Sequence, residues 1–230
     1  MNAESRRKIE MGTRALEFSR AHPDTEPGTA TAAARLEQLL ARATETATVQ
    51  RDGLVHVHAA AARKAELQRQ MRNVPIAHLA EVGRAAAREE HELGKTFTFR
   101  PGASTSFAFR TAARSMAAAA QEHRELLGKY GLAQSVLDEF VQTLDQLDAA
   151  VALGNEGRTA HVGATRELGA VGTEIVRAVR VMDGRNRQRF ADQQQLLGSW
   201  ISASTVLGTP RPGTVAEGGT PTGGEVRPAA

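Results

Sequence analysis

The chain has 230 residues, 41% of them hydrophobic, and its 41 alanines and 19 leucines stand against seven Phe, one Tyr and one Trp, a balance that favours helices over sheets. It contains no cysteine, which excludes disulfides, thiolate metal sites and thiol nucleophiles. Its 29 basic and 26 acidic residues leave a formal charge of only +3, too small an excess to require a nucleic-acid partner.

Small side chains let helix axes approach closely but remove little apolar area per residue, so stability has to come from long contacts. The composition therefore predicts an all-α fold: one elongated antiparallel helical bundle of about six to seven helices over 1–207, then a Gly/Pro/Thr-rich tail over 208–230 that should be disordered. Met1 to Lys8 carry no apolar signal segment, and no stretch approaches the ~18 apolar residues of a membrane span. A cytoplasmic protein with no membrane partner is expected.

The first helix is predicted from Glu4 to Ala21, with Ile9, Met11, Leu16 and Phe18 as its apolar stripe. Pro23 and Pro27 stop it, since neither continues a helix. The second helix carries Ala33, Leu36, Leu40, Ala43, Ala47, Leu54, Val57 and Ala61 on a 3-4 repeat, the seam spacing of bundles and coiled coils, and reaches toward Gln70. Asp52-Gly53 is a candidate break or bend in it. Asn73-Val74-Pro75 reads as a cap region with proline in the first turn, opening a third helix through Ile76, Leu79, Val82 and Ala86 that ends near Leu93-Gly94.

From Lys95 to Phe109 the pattern changes. Thr96-Phe97-Thr98-Phe99 alternates with period two, Pro101-Gly102 signals a turn, and Ser104 or Ser106 can cap the next helix. A fourth helix runs through Ala112, Met116, Ala119, His123 and Leu127, and Gly128 to Gly131 mark its end. The fifth carries Leu132, Leu137, Phe140, Leu144, Leu147 and Val151 up to a turn at Gly154-Asn155-Glu156-Gly157. The sixth carries Thr165, Leu168, Gly172, Ile175, Val179 and Met182, and a short seventh around Gln193 to Ser202 presents Leu196, Leu197, Trp200 and Ile201.

Charge adds a constraint. Between Tyr130 and Gly157 stand Asp138, Glu139, Asp145, Asp148 and Glu156 with no Lys or Arg, whereas arginines occupy 158, 166, 177, 180, 185, 187 and 189. A turn between the two segments would place them antiparallel with opposite charges flanking one seam.

The runs Leu137-Asp138-Glu139-Phe140, Ala160 to Thr165, Asp183 to Asp192 and Leu196 to Trp200 resemble uncharacterised all-helical bacterial proteins with no assigned function. The resemblance covers the chain up to about Val206. It implies a shared helical fold and carries no site residues.

Chemical motifs fare poorly against their structural alternatives. Gly94-Lys95-Thr96 looks like the end of a phosphate-binding loop, but Glu89 stands where the first glycine belongs and the preceding segment is an acid-rich helix. No Glu-x-x-His pair of a di-iron bundle occurs. His56 and His58 are roughly 200° apart on a helix and cannot chelate one ion. Glu89, Glu90, His91 and Glu92 with Glu122 and His123 are the one acid-imidazole grouping, and such a run is ordinarily a solvated helix end. No catalytic residue, metal or cofactor is expected.

Two groups are candidate contact sites. Phe97, Phe99, Phe107 and Phe109 form either a plug over one end of the bundle or a patch for a partner or ligand. Arg177, Arg180, Arg185, Arg187 and Arg189 could meet anions, although intramolecular pairing competes. The expectation is a non-catalytic interaction or structural protein that meets a protein partner or itself. The alternatives are a small-ligand binder or enzyme with a pocket under the 95–109 loop, and a weak nucleic-acid contact through 177–189.

Overall fold

The computed structural model describes residues 1–100 and 105–207, and among these every regular element is helical. In chain order they are α1 (Ala3–Ala21), α2 (Pro27–Met71), a π-helical turn (Arg72–Ile76), α3 (Ala77–Ala86), α4 (Leu93–Thr96), α5 (Ser106–Glu122), α6 (Arg124–Lys129), α7 (Gln134–Arg189) and α8 (Gln194–Ser204). The fold is an all-α helical bundle. The expected turn at Pro101-Gly102, the Ser104 cap and the 208–230 tail lie outside the described residues.

Local chemistry explains the boundaries that match. Asn2 caps α1 by accepting the Ser5 N–H at 2.7 Å. Pro27 is the first residue of α2, where a missing N–H costs nothing, and the Glu26 carboxylate accepts the Thr29 N–H at 2.9 Å. Backbone N–H groups of Thr29 and Gly28 hold that carboxyl below its ordinary pKa. After α6 the chain closes with the Leu132 N–H on Leu127 O (3.0 Å), the Gly131 N–H on Gly128 O (3.1 Å), and Gly131 at φ +98°, a left-handed glycine stop.

Three expected breaks are absent. Asp52-Gly53 lies inside a continuous 45-residue α2. Gly154 to Gly157 lie inside α7, a single helix of 56 residues, so the expected fifth and sixth helices are one. The acidic and arginine-rich segments therefore follow each other along one helix and do not flank a common seam. Pro75 does not open a helix either: the chain passes from α2 to α3 through the π turn, whose wider ring accommodates a residue without an N–H. Elsewhere the breaks are more numerous than expected, with α3 ending at Ala86 and the expected fourth helix interrupted at His123. Thr105, not Ser106, caps α5, accepting the Ala108 N–H at 3.2 Å.

The buried seam of α2 shares Leu36 and Ala43 with the expected repeat and shifts by one residue elsewhere, to Leu39, Thr46, Gly53 and Ala60. Leu36, Leu39, Ala43, Thr46, Gln50, Gly53, Ala60, Leu67 and Met71 are buried, while Leu54 is 43% exposed. Two of these seam positions are polar.

The chain divides into two compact units. The first comprises Met1 and Ala41–Val171, and the second comprises Asn2–Leu40 and Gly172–Ala230, described as far as 207. Both long helices contribute to each. In the first unit α2 and α7 run antiparallel, as Arg42–Glu167 (2.9 Å) and Arg63–Gln146 (2.7 Å) show. Their backbones touch where Gly53 meets Gly157: a Cβ on Gly53 would lie 2.7 Å from Gly157 O and 2.9 Å from His161 N. Beside this crossing the Gln50 amide donates to Thr165 Oγ1 (2.6 Å), and His161 Nδ1 lies 3.0 Å from Gln50 O. A carbonyl only accepts, so His161 carries its proton on Nδ1. The rest of this unit packs α3 to α6 over Leu79, Phe97, Phe109, Met116, Leu127, Phe140 and Leu147.

In the second unit α1, the start of α2, the end of α7 and α8 surround Met11, Leu16, Leu36, Ile175, Met182 and Trp200. Gly12 admits the Ile175 side chain, which a Cβ there would meet at 2.6 Å. Trp200 is fully buried, and its indole N–H donates to Asp183 Oδ1 at 2.8 Å.

Candidate functional site

The aromatic segment divides three to one. α4 is a single turn ending at Phe97, whose N–H bonds Leu93 O at 3.0 Å, so 96–99 is not an extended strand. Phe97 is 1% exposed and lies on Gly83, where a Cβ would meet the phenyl ring at 2.7 Å. Phe99, half-buried, meets Phe109 edge-to-face at 5.2 Å, and the Arg72 guanidinium caps Phe109 at 5.0 Å. Phe97 and Phe99 thus reach the same core by a route other than strand alternation. Phe107 is separate: it stands on the first turn of α5, 72% exposed. That turn is held by the Thr105 cap, and Arg110 and Arg114 both bond Asp148 of α7.

The arginine group is also split. Arg185 pairs with Asp24 (3.2 Å), Arg187 with Asp183 (2.8 Å), and Arg189 donates to His22 O and Pro23 O (both 3.0 Å) while lying over Phe190. These three tie α7 to the 22–24 turn and to the Trp200 partner. The Glu26 N–H and then Arg185 hold the Asp24 carboxyl below its ordinary pKa. Arg177 and Arg180 are exposed and have no ion-pair partner among the described residues.

The acid-imidazole grouping meets only pairwise. His123 Nδ1 is 3.5 Å from Glu90, and the Tyr130 hydroxyl donates to Glu89 at 2.8 Å, which raises the phenol's pKa. Glu122, His91 and Glu92 are exposed, as are His56 and His58. Among the described residues no three such side chains converge on a metal position. Gly94 to Thr96 form the α4 turn, with Thr96 Oγ1 bonded to Glu92 O. They make no phosphate cradle.

Sequence reading placed Thr165 on the buried stripe but missed Thr46, Gln50 and His161, which join it in a polar layer. The available signal was that a strict 3-4 count along α2 continues through polar residues. It also missed that Ser106, Lys64 and Arg158 share one cavity, a juxtaposition of three helices that no spacing encodes. No helix among the described residues is long and apolar enough to cross a membrane. Comparison with protein-family models, curated proteins and solved structures finds no match to this chain.

Proposed function

We propose that the chain is a non-catalytic helical interaction protein and that Phe107 is a contact residue of its first unit. The observation carrying this reading is the 72% exposure of Phe107 on a turn that a cap and two arginine–aspartate contacts hold rigid, while its three aromatic neighbours are consumed by the core. An exposed phenyl ring loses water when it docks, and holding it on a preformed helix lowers the entropy cost of docking.

The test places a benzophenone amino acid at position 107 and at exposed Val181 in cells of the native host. A discrete covalent adduct is expected at 107, either with another protein or with a second copy of the chain, and none at 181. Equal adduct patterns at both sites, or none at 107, would refute the reading. A second reading, small-ligand binding, is favoured by a cavity on another side of the same turn.

A further inference from the structure

In the first unit, α2, α5 and α7 line an open cleft with a cavity volume of about 250 Å³, at whose rim Arg158 and Asn155 are exposed. Its wall is made of short side chains: Val57, Ala60 and Ala61 from α2, and Ala150, Val151 and Gly154 from α7. Its charged groups are of one sign. Lys64 and Arg158 line it, and neither has a carboxylate partner among the described residues, although Arg42, Arg110 and Arg114 of the same unit do. Asn155 offers an amide. Ser106 offers a hydroxyl whose oxygen is shielded from solvent and has no hydrogen-bond partner among the described residues, an unusual state for a buried polar atom. Among the described residues no Asp or Glu lines the cavity.

We infer that this cavity is a binding site for a small organic anion, a carboxylate with a short aliphatic body. The carboxylate takes the Lys64 ammonium, the Arg158 guanidinium and the Ser106 hydroxyl proton, supplying the acceptor these donors lack. The aliphatic body lies on the alanine and valine wall. The volume falls just below the ~300–1,000 Å³ of drug-sized sites, which limits the ligand to a short chain or a single ring. A bare inorganic anion would leave the apolar wall uncovered, and a neutral chain would leave two cations unpaired. Phe107 is not part of the site, so this inference stands or falls separately from the interaction reading.

The experiment titrates the full chain with octanoate, 1-octanol and inorganic phosphate, following backbone amide NMR shifts. Octanoate is expected to saturate and to shift the amides of Ser106 and Gly154 most, with octanol and phosphate at least about tenfold weaker. Lys64→Gln with Arg158→Gln should remove the preference for octanoate over octanol, a loss of about tenfold or more, and Ser106→Ala should weaken octanoate several-fold. Phe107→Ala should bind octanoate as the parent chain does. Equal affinity for octanoate and octanol in the parent chain, phosphate competing as well as octanoate, shifts that map elsewhere, or no saturation would each overturn the inference. The wild-type titration decides this without relying on any variant.

Discussion

Phe97 and Phe107 are the same side chain in opposite surroundings, 1% and 72% exposed. Removing a buried ring costs its transfer energy and leaves a cavity over Gly83, so Phe97→Ala with Phe99→Ala should destabilise the chain by about 3 kcal/mol or more in urea denaturation. Phe107→Ala should cost less than about 0.5 kcal/mol, because the residue is 72% exposed. Equal effects from the two changes would mean that the aromatic segment is packed differently. The sequence displayed the clustering of phenylalanines but not their division. Which ring is buried depends on whether the backbone at 96–99 is strand or helix, and the Thr/Phe alternation indicated the former. The α4 turn prevails because it lets Phe97 drop onto a residue with no side chain.

Glycine is the residue on which the elements turn. Gly53, Gly154 and Gly157 were read as breaks because glycine lowers helix propensity by ~1 kcal/mol relative to alanine. At Gly53 and Gly157 the missing side chains let the backbones of α2 and α7 meet, and that contact outweighs the local penalty. Gly53→Ala should therefore cost about 1–3 kcal/mol, since its Cβ collides with backbone atoms that cannot turn aside. Gly163→Ala, exposed on α7 with open space around it, should stabilise by up to ~1 kcal/mol. Chemical denaturation of both variants decides the matter: stabilisation by Gly53→Ala would mean that the helices do not approach so closely. The polar seam residues carry the same lesson. Gln50 looks like a solvent-facing residue until Thr165 accepts from its amide across the seam, and the buried Thr46 hydroxyl is satisfied within α2 by donating to Arg42 O at 2.8 Å.

For the molecule as a whole, the charge balance of +3 and the commitment of Arg185, Arg187 and Arg189 to internal contacts leave Arg177 and Arg180 as the accessible cations of the run. Binding to duplex or single-stranded nucleic acid should be weak, insensitive to base sequence and strongly reduced by salt. Fluorescence anisotropy at two salt concentrations, with Arg177→Glu and Arg180→Glu as the control, checks this. Submicromolar binding at physiological salt, abolished by that pair, would make the chain a nucleic-acid protein.

Helical class, the stop between α1 and α2 at the prolines, the glycine end after α6 and a short final helix were all determined by the sequence itself. Each follows from alanine-rich propensity or from a residue whose backbone permits one outcome. Tertiary structure alone decided that α7 continues through Gly154 to Gly157, that Pro75 sits inside a π turn, and which phenylalanine faces water. The physical reason is one of scale: local preferences are worth about 1 kcal/mol per residue, and burial against a neighbouring helix can exceed that in either direction.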